Sequence, residues 1–157
     1  MELTNKSLAH IRGFNYQPSF AGHGIPRWID RYNAATIESE LRRGQELFPW
    51  MNTVRIWLSL DAWWDNPECF LANLDKEVEI HRKLGLKMMP VLFNGVTNVP
   101  DFGSLTPTDA DRFMKPDGGH NLRVLYLDYV KAIAERYAGD DIVVAWDLCN
   151  EPGLHYK

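Results

Sequence analysis

Four apolar, strand-like runs alternate along this chain with three segments whose apolar residues recur at helical intervals. No other feature constrains the fold as much. Strands separated by helices pair in parallel, and their crossovers are right-handed. The first run is IRGFNYQ, residues 11–17, with Gly13 inside it. A Gly- and Pro-rich loop over 18–27 leads to ATIESELRRGQELF, 35–48. There Ile37, Leu41, Leu47 and Phe48 fall at helical spacing. Glu38 and Glu40 are expected in the first turn, where carboxylates face the positive end of the helix dipole. NTVRIWLSL, 52–60, is β-branched and reads as the second strand.

The second helix has the clearest boundaries. Asn66 is an N-cap residue, Pro67 suits the first helical position, and Gly85 closes the C-terminus. Phe70, Leu71, Leu74, Val78 and His81 fall on one face between them. LKMMPVLF, 86–93, is the third strand, although Pro90 cannot donate to a ladder. A long loop is expected over 94–120. Asn121 is expected to cap a third helix, with Leu122, Leu125, Tyr126, Tyr129, Val130, Ile133 and Tyr137 as its apolar stripe and Gly139 at its end. DIVVAWDLC, 141–149, is the fourth strand. The strands are expected to be apolar on both faces, as strands covered by crossover helices are.

The order β-α-β-α-β-α-β fits two architectures, the doubly wound sheet and the (β/α)8 barrel. A doubly wound nucleotide-binding sheet wants a Gly-rich turn after the first strand. NYQPSFAGHGIPRW holds Gly22 and Gly24, but no GxGxxG opens a helix and no P-loop is present. A barrel instead places functional side chains at the C-terminal ends of several strands. The sequence offers Tyr16 after strand one, Asp61-Ala62-Trp63-Trp64 after strand two, Phe93-Asn94 after strand three and Asn150-Glu151 after strand four. The fold expected is therefore α/β of the (β/α)8 TIM-barrel type. With four βα units in 157 residues, against about 250 for such a barrel, the chain reads as half of one.

Composition narrows the partners. The net charge is −4, so no basic surplus is available for phosphates; neither a nucleic acid nor an acidic membrane is expected. Two cysteines, Cys69 and Cys149, make no disulfide framework. The histidines His10, His23, His81, His120 and His155 have no ligand spacing, so no metal and no cofactor are expected. The N-terminus shows no signal-peptide pattern, and no run has the length of a transmembrane helix. As given, the chain is expected to be cytoplasmic, or a trimmed form of something exported.

Glu151 is the residue that suggests chemistry. A carboxyl at a strand end in apolar and aromatic surroundings has its charged form disfavoured by burial, which suits a general acid. Pro152 is expected to hold Glu151 in an extended backbone. Asn150 carries a donor and an acceptor and can bind a sugar hydroxyl beside it. Trp63 and Trp64, expected on a loop, and Phe93 offer flat faces to sugar rings. Trp57 and Trp146, within strands, read as core.

The stretches RGFNY, NTVRIWLS and AWDLCNEP, in that order and spacing, resemble the clan A glycoside hydrolases. These are the retaining (β/α)8 enzymes that include the family 5 cellulases and mannanases. The likeness is greatest to cellulase-like proteins with a Trp-Asp-Leu-x-Asn-Glu-Pro-Gly strand, here Trp146 to Gly153. The resemblance implies a β-linked carbohydrate substrate. It implies Glu151 as acid/base, Asn150 on the sugar 2-hydroxyl, and Arg55 as the fixed charge holding a nucleophile ionised. The alternative for Arg55 is an ion pair with Asp147. Many family 5 enzymes have a His at the end of strand three; here VLFNGVTN offers Asn94. A retaining mechanism needs a second carboxylate about 5–5.5 Å from the first, and in this clan it comes from strand seven. The chain is thus expected to be an inactive N-terminal part of such an enzyme. Two alternatives are a half barrel that pairs with its own copy or with a C-terminal half, and a non-catalytic carbohydrate-binding module. A small hydrolase using Asp61 or Asp101 with Glu151 has no spacing to support it.

Overall fold

A computed structural model of the chain describes residues 9–94 and 122–151. The elements are β1 (Gly13–Tyr16), a π-helical turn (Pro26–Asp30), α1 (Ala34–Leu47), β2 (Thr53–Trp57), α2 (Leu60–Asp65), α3 (Pro67–Lys83), β3 (Lys87–Asn94), α4 (Leu122–Arg136) and β4 (Asp147–Asn150). The four strands form one parallel sheet in the order β1-β2-β3-β4. Among the described strands the order never reverses, so they show no switch point of the doubly wound kind. This α/β arrangement is compatible with part of a TIM-like fold.

Local chemistry sets the helix boundaries. Asn66 caps α3 by accepting from the Cys69 amide at 3.0 Å, Pro67 opens the helix, and Gly85 leaves it at φ +68°. Arg82 and Lys83 lie in the last turn, where cations meet the negative end of the dipole. α1 begins one turn earlier than its acidic residues suggested. Asn33 caps it, and no carboxylate lies in its first turn. Glu38 instead bonds Arg42 and Lys83, and Glu40 accepts the Tyr16 hydroxyl at 2.7 Å. α2 occupies the stretch expected as a loop, because Ser59 Oγ accepts from the Ala62 amide at 3.2 Å and starts a helix there. Asn121 and the expected loop beyond Asn94 lie outside the described residues.

The sheet has two unlike faces, which corrects the expectation of strands apolar on both. Val54, Ile56, Met88 and Leu92 join one core with Ile37 and Leu41 of α1, Phe70, Leu74 and Val78 of α3, and Tyr129 and Ile133 of α4. The opposite face mixes polar Asn15, Arg55 and Asp147 with apolar Trp57, Met89 and Val91. A sheet wound in one direction lays its crossover helices over one face only, and the other is free to hold polar side chains. β1 fits against β2 because Gly13 lacks a side chain; a Cβ there would lie 1.8 Å from the Thr53 carbonyl oxygen.

β4 is shorter than the expected 141–149 run. The chain first touches β3 at Val143, opposite Met88, then leaves the ladder and rejoins it with Asp147 opposite Val91. Three steps along β3 therefore match four along the incoming chain. One extra residue is inserted, as in a β-bulge, and it reverses which face the following side chains take. Trp146 lies in the inserted stretch, partly buried against the core.

A buried ion pair ties the π-helical turn to α3. Arg27 Nη2 lies 2.7 Å from both carboxylate oxygens of Glu77, and the two side chains are 3% and 0% exposed. Below it His81 Nδ1 meets the Glu77 carbonyl at 2.8 Å. Burial pushes the His81 imidazole below its ordinary range, against the pull of Glu77.

Candidate active site

The unlike faces of the sheet decide where the candidate residues go. Asn15 and Arg55 are register partners on β1 and β2, and parallel partners share a face. The bulge turns Asp147 to that same face. Arg55 Nε and Nη2 donate to Asp147 Oδ2 at 3.0 and 2.6 Å. Nη2 also donates to Asn150 Oδ1 at 3.0 Å, and Nη1 donates to Asn15 Oδ1 at 3.1 Å. The guanidinium carbon lies 4.4 Å from the Trp57 ring centre, a cation–π contact. Asn150 Nδ2 in turn donates to Asn94 Oδ1 at 3.0 Å. Five polar side chains from all four strands are thus joined in one network at the C-terminal side of the sheet.

Of the two roles weighed for Arg55, this geometry shows the ion pair with Asp147. The pair is partly exposed, at 21% and 24%, so water screens it. A groove lined by Gly13, Asn15, Thr53, Arg55 and Met89 opens beside it.

Glu151 follows Asn150 directly and is exposed. It is not enclosed by apolar and aromatic groups as expected. Its backbone is not extended either: φ is +49°, in the left-handed region that a non-glycine residue enters at a cost of roughly 1–2 kcal/mol. The sheet ladder ends at Asn150, whose amide is held at both ends, so the turn off the sheet falls on Glu151. Strain of this kind clusters at functional sites. Pro152 and Gly153 lie outside the described residues.

The other expected site residues are not brought together with this network. Tyr16 turns to the helix side, as its register partner Ile56 does, and its hydroxyl is bound to Glu40. Burial, then the bond to Glu40, pushes that phenol far above its ordinary range. Trp63 lies within α2, with its ring 5.7 Å from that of Tyr129. Trp64 belongs to the same helix and is half-buried. Phe93 packs on Tyr126 and Tyr129 at 5.3 and 5.5 Å. The Trp63 and Phe93 rings serve as packing between the sheet, α2 and α4.

Some neighbours were not anticipated. Asn15 and Trp57 touch Arg55, and Gln17 and His23 lie beyond Trp57. The Gln17 amide lies 2.9 Å from His23 Nε2, and the His23 ring stands edge-on to Trp57 at 6.4 Å. The one sequence signal for Asn15 was its two-residue spacing from Gly13, which fixes its face once the register to Arg55 is known. Among the described residues no group of three or more His, Cys, Asp or Glu side chains gathers. No helix among them is long and apolar enough to cross a membrane.

No protein-family model matches this sequence. A curated relative, the probable mannan endo-1,4-beta-mannosidase A of Aspergillus clavatus, is 31% identical over 91 residues. The match covers 52% of this chain and 23% of that protein, so the chain spans only about a quarter of the relative's length.

Proposed function

We propose that this chain carries the acid/base side of a retaining β-glycosidase site, with Glu151 as the acid/base and Asn150 as the ligand of the sugar 2-hydroxyl. The observation that carries this reading is the bond from Arg55 Nη2 to Asn150 Oδ1, which joins the middle of β2 to the end of β4 beside the strained Glu151. The partial match to a mannanase supports a glycoside hydrolase, and a β-linked mannan is the first substrate to try. Glu151 would give its proton to the glycosidic oxygen as the bond breaks, then take one from the water that hydrolyses the glycosyl-enzyme. The second carboxylate, the nucleophile, would come from outside the four βα units described. An exposed Glu151 fits a site whose opposite wall is contributed by other elements. Trp63, Trp64, Phe93 and Tyr16 have no role in this reading beyond packing.

A companion reading concerns assembly. Among the described residues, the large apolar side chains left exposed are Leu47, Phe48, Trp50, Leu127 and Leu148. Phe48 packs edge-on against Phe14 of β1 and in turn touches Trp50. Leu148 lies on β4, and Leu127 on the helix leading to it. Exposed apolar groups therefore sit beside both open edges of the sheet, where further βα units would cover them.

The test is turnover of aryl β-mannosides, β-glucosides and β-xylosides by the chain alone. The expected result is none above background. Turnover that disappears in Glu151→Gln would overturn the view that the nucleophile comes from elsewhere.

A further inference from the structure

We infer that Asp147 is a positioning residue: acting through Arg55, it fixes which atom of the Asn150 amide faces the open side of the site. This rests on the glycosidase reading above for what Asn150 then binds. The fixing itself rests on hydrogen-bond chemistry. An arginine side chain has donors only, so the Asn150 atom at 3.0 Å from Arg55 Nη2 must be its oxygen. That assignment turns the Asn150 NH2 toward Asn94, whose oxygen takes one hydrogen at 3.0 Å. The second hydrogen stays available, as a donor, to a hydroxyl oxygen.

Arg55 holds the Asn150 oxygen only while its own plane is held. Asp147 does this by taking both Nε and Nη2 on one carboxylate oxygen, along the side of the guanidinium. Asn15 takes Nη1, and Trp57 lies under the plane. Without the carboxylate, Arg55 keeps a stacking partner and a neutral acceptor but loses the contact that aims Nη2. Asp147 sits three residues before Asn150 on the same short strand, and the bulge that precedes it is what brings it to this face. A lysine cannot replace Arg55 here, because a point charge lacks the planar fork.

The test reads the Asn150 side-chain amide by NMR without any sugar, with Asn150→Ala identifying the signal by its disappearance. In Asp147→Asn the amide hydrogens should exchange with solvent about five- to tenfold faster, the scale of one lost net hydrogen bond. Arg55→Lys should do the same, and Asp147→Glu should restore part of the protection. A folded Asp147→Asn or Arg55→Lys chain with unchanged exchange overturns the proposal. If Asp147→Asn does not fold, Arg55→Lys decides; if neither folds, the pair is a folding determinant and the positioning role is rejected. A separate arm adds a β-1,4-linked trisaccharide of mannose. Coupling intact with no response to any β-linked sugar would reject the glycan reading while leaving the Asp147–Arg55–Asn150 coupling in place.

Discussion

At the scale of single residues, two groups with buried partners respond to different stresses. Arg27 and Glu77 are paired through the single nitrogen Nη2 and shut away from water. Removing one partner of such a pair leaves an uncompensated charge, so Glu77→Gln should lower unfolding stability by about 3–5 kcal/mol in urea titration. His81 has its imidazole held neutral by burial, with its folded value below the ordinary one near 6.5. The unfolded chain then takes up the proton first as pH falls. Stability should therefore be full above about pH 6.5 and decline as pH drops below it. His81→Gln, followed by thermal melts at several pH values, should flatten that decline. Neither role was legible in the sequence beyond the placing of His81 on the apolar face of its helix. Arg27 and Glu77 lie 50 positions apart, and only the packing of the π-helical turn on α3 joins them.

At the scale of elements, the sequence was most informative where capping chemistry was local. The Asn66-Pro67 start and Gly85 stop of α3 were legible because each signal acts on its own turn. β4 was not, because its apolar run hides an inserted residue. Deleting Ala145 should restore regular pairing from Val143 onward and leave Asp147 opposite Val91, on the Arg55 face. The Arg55–Asp147 pair should then survive, seen as a protected Arg55 Nε signal that persists in the deletion variant; its disappearance would contradict this reading of the bulge. Gly13 offers a second check. A side chain there meets the Thr53 carbonyl, so Gly13→Ala should cost about 1–3 kcal/mol, the range for overpacking, with early amide exchange confined to β1. α2 was misread as a loop because Ser59 lay inside the strand-like run 52–60 and its capping bond spans only three residues. That error also made Trp63 and Trp64 look like free surface.

For the molecule as a whole, the βα order was legible, and from it the parallel sheet. The unlike faces were not, since they depend on strand order and register. Arg55 and Asp147, 92 positions apart, could be paired only as one alternative of two. The exposed apolar groups beside both sheet edges carry their own expectation. The chain should associate at micromolar concentration in sedimentation velocity, and Trp50→Ser combined with Leu148→Lys should shift it toward monomer. A clean monomer before substitution would count against pairing through these edges.

The central claim is that the network ending at Asn150, beside Glu151, meets a β-linked sugar. It is tested most directly by titrating the labelled chain with β-1,4-linked trisaccharides of mannose, glucose and xylose and following the side-chain signals of Asn150, Asn94 and Arg55. The expected result is a set of shifts concentrated on those groups, with a dissociation constant of about a millimolar or weaker, and their loss in Asn150→Ala. No shift with any of the three sugars, or the same shifts in Asn150→Ala, would contradict it.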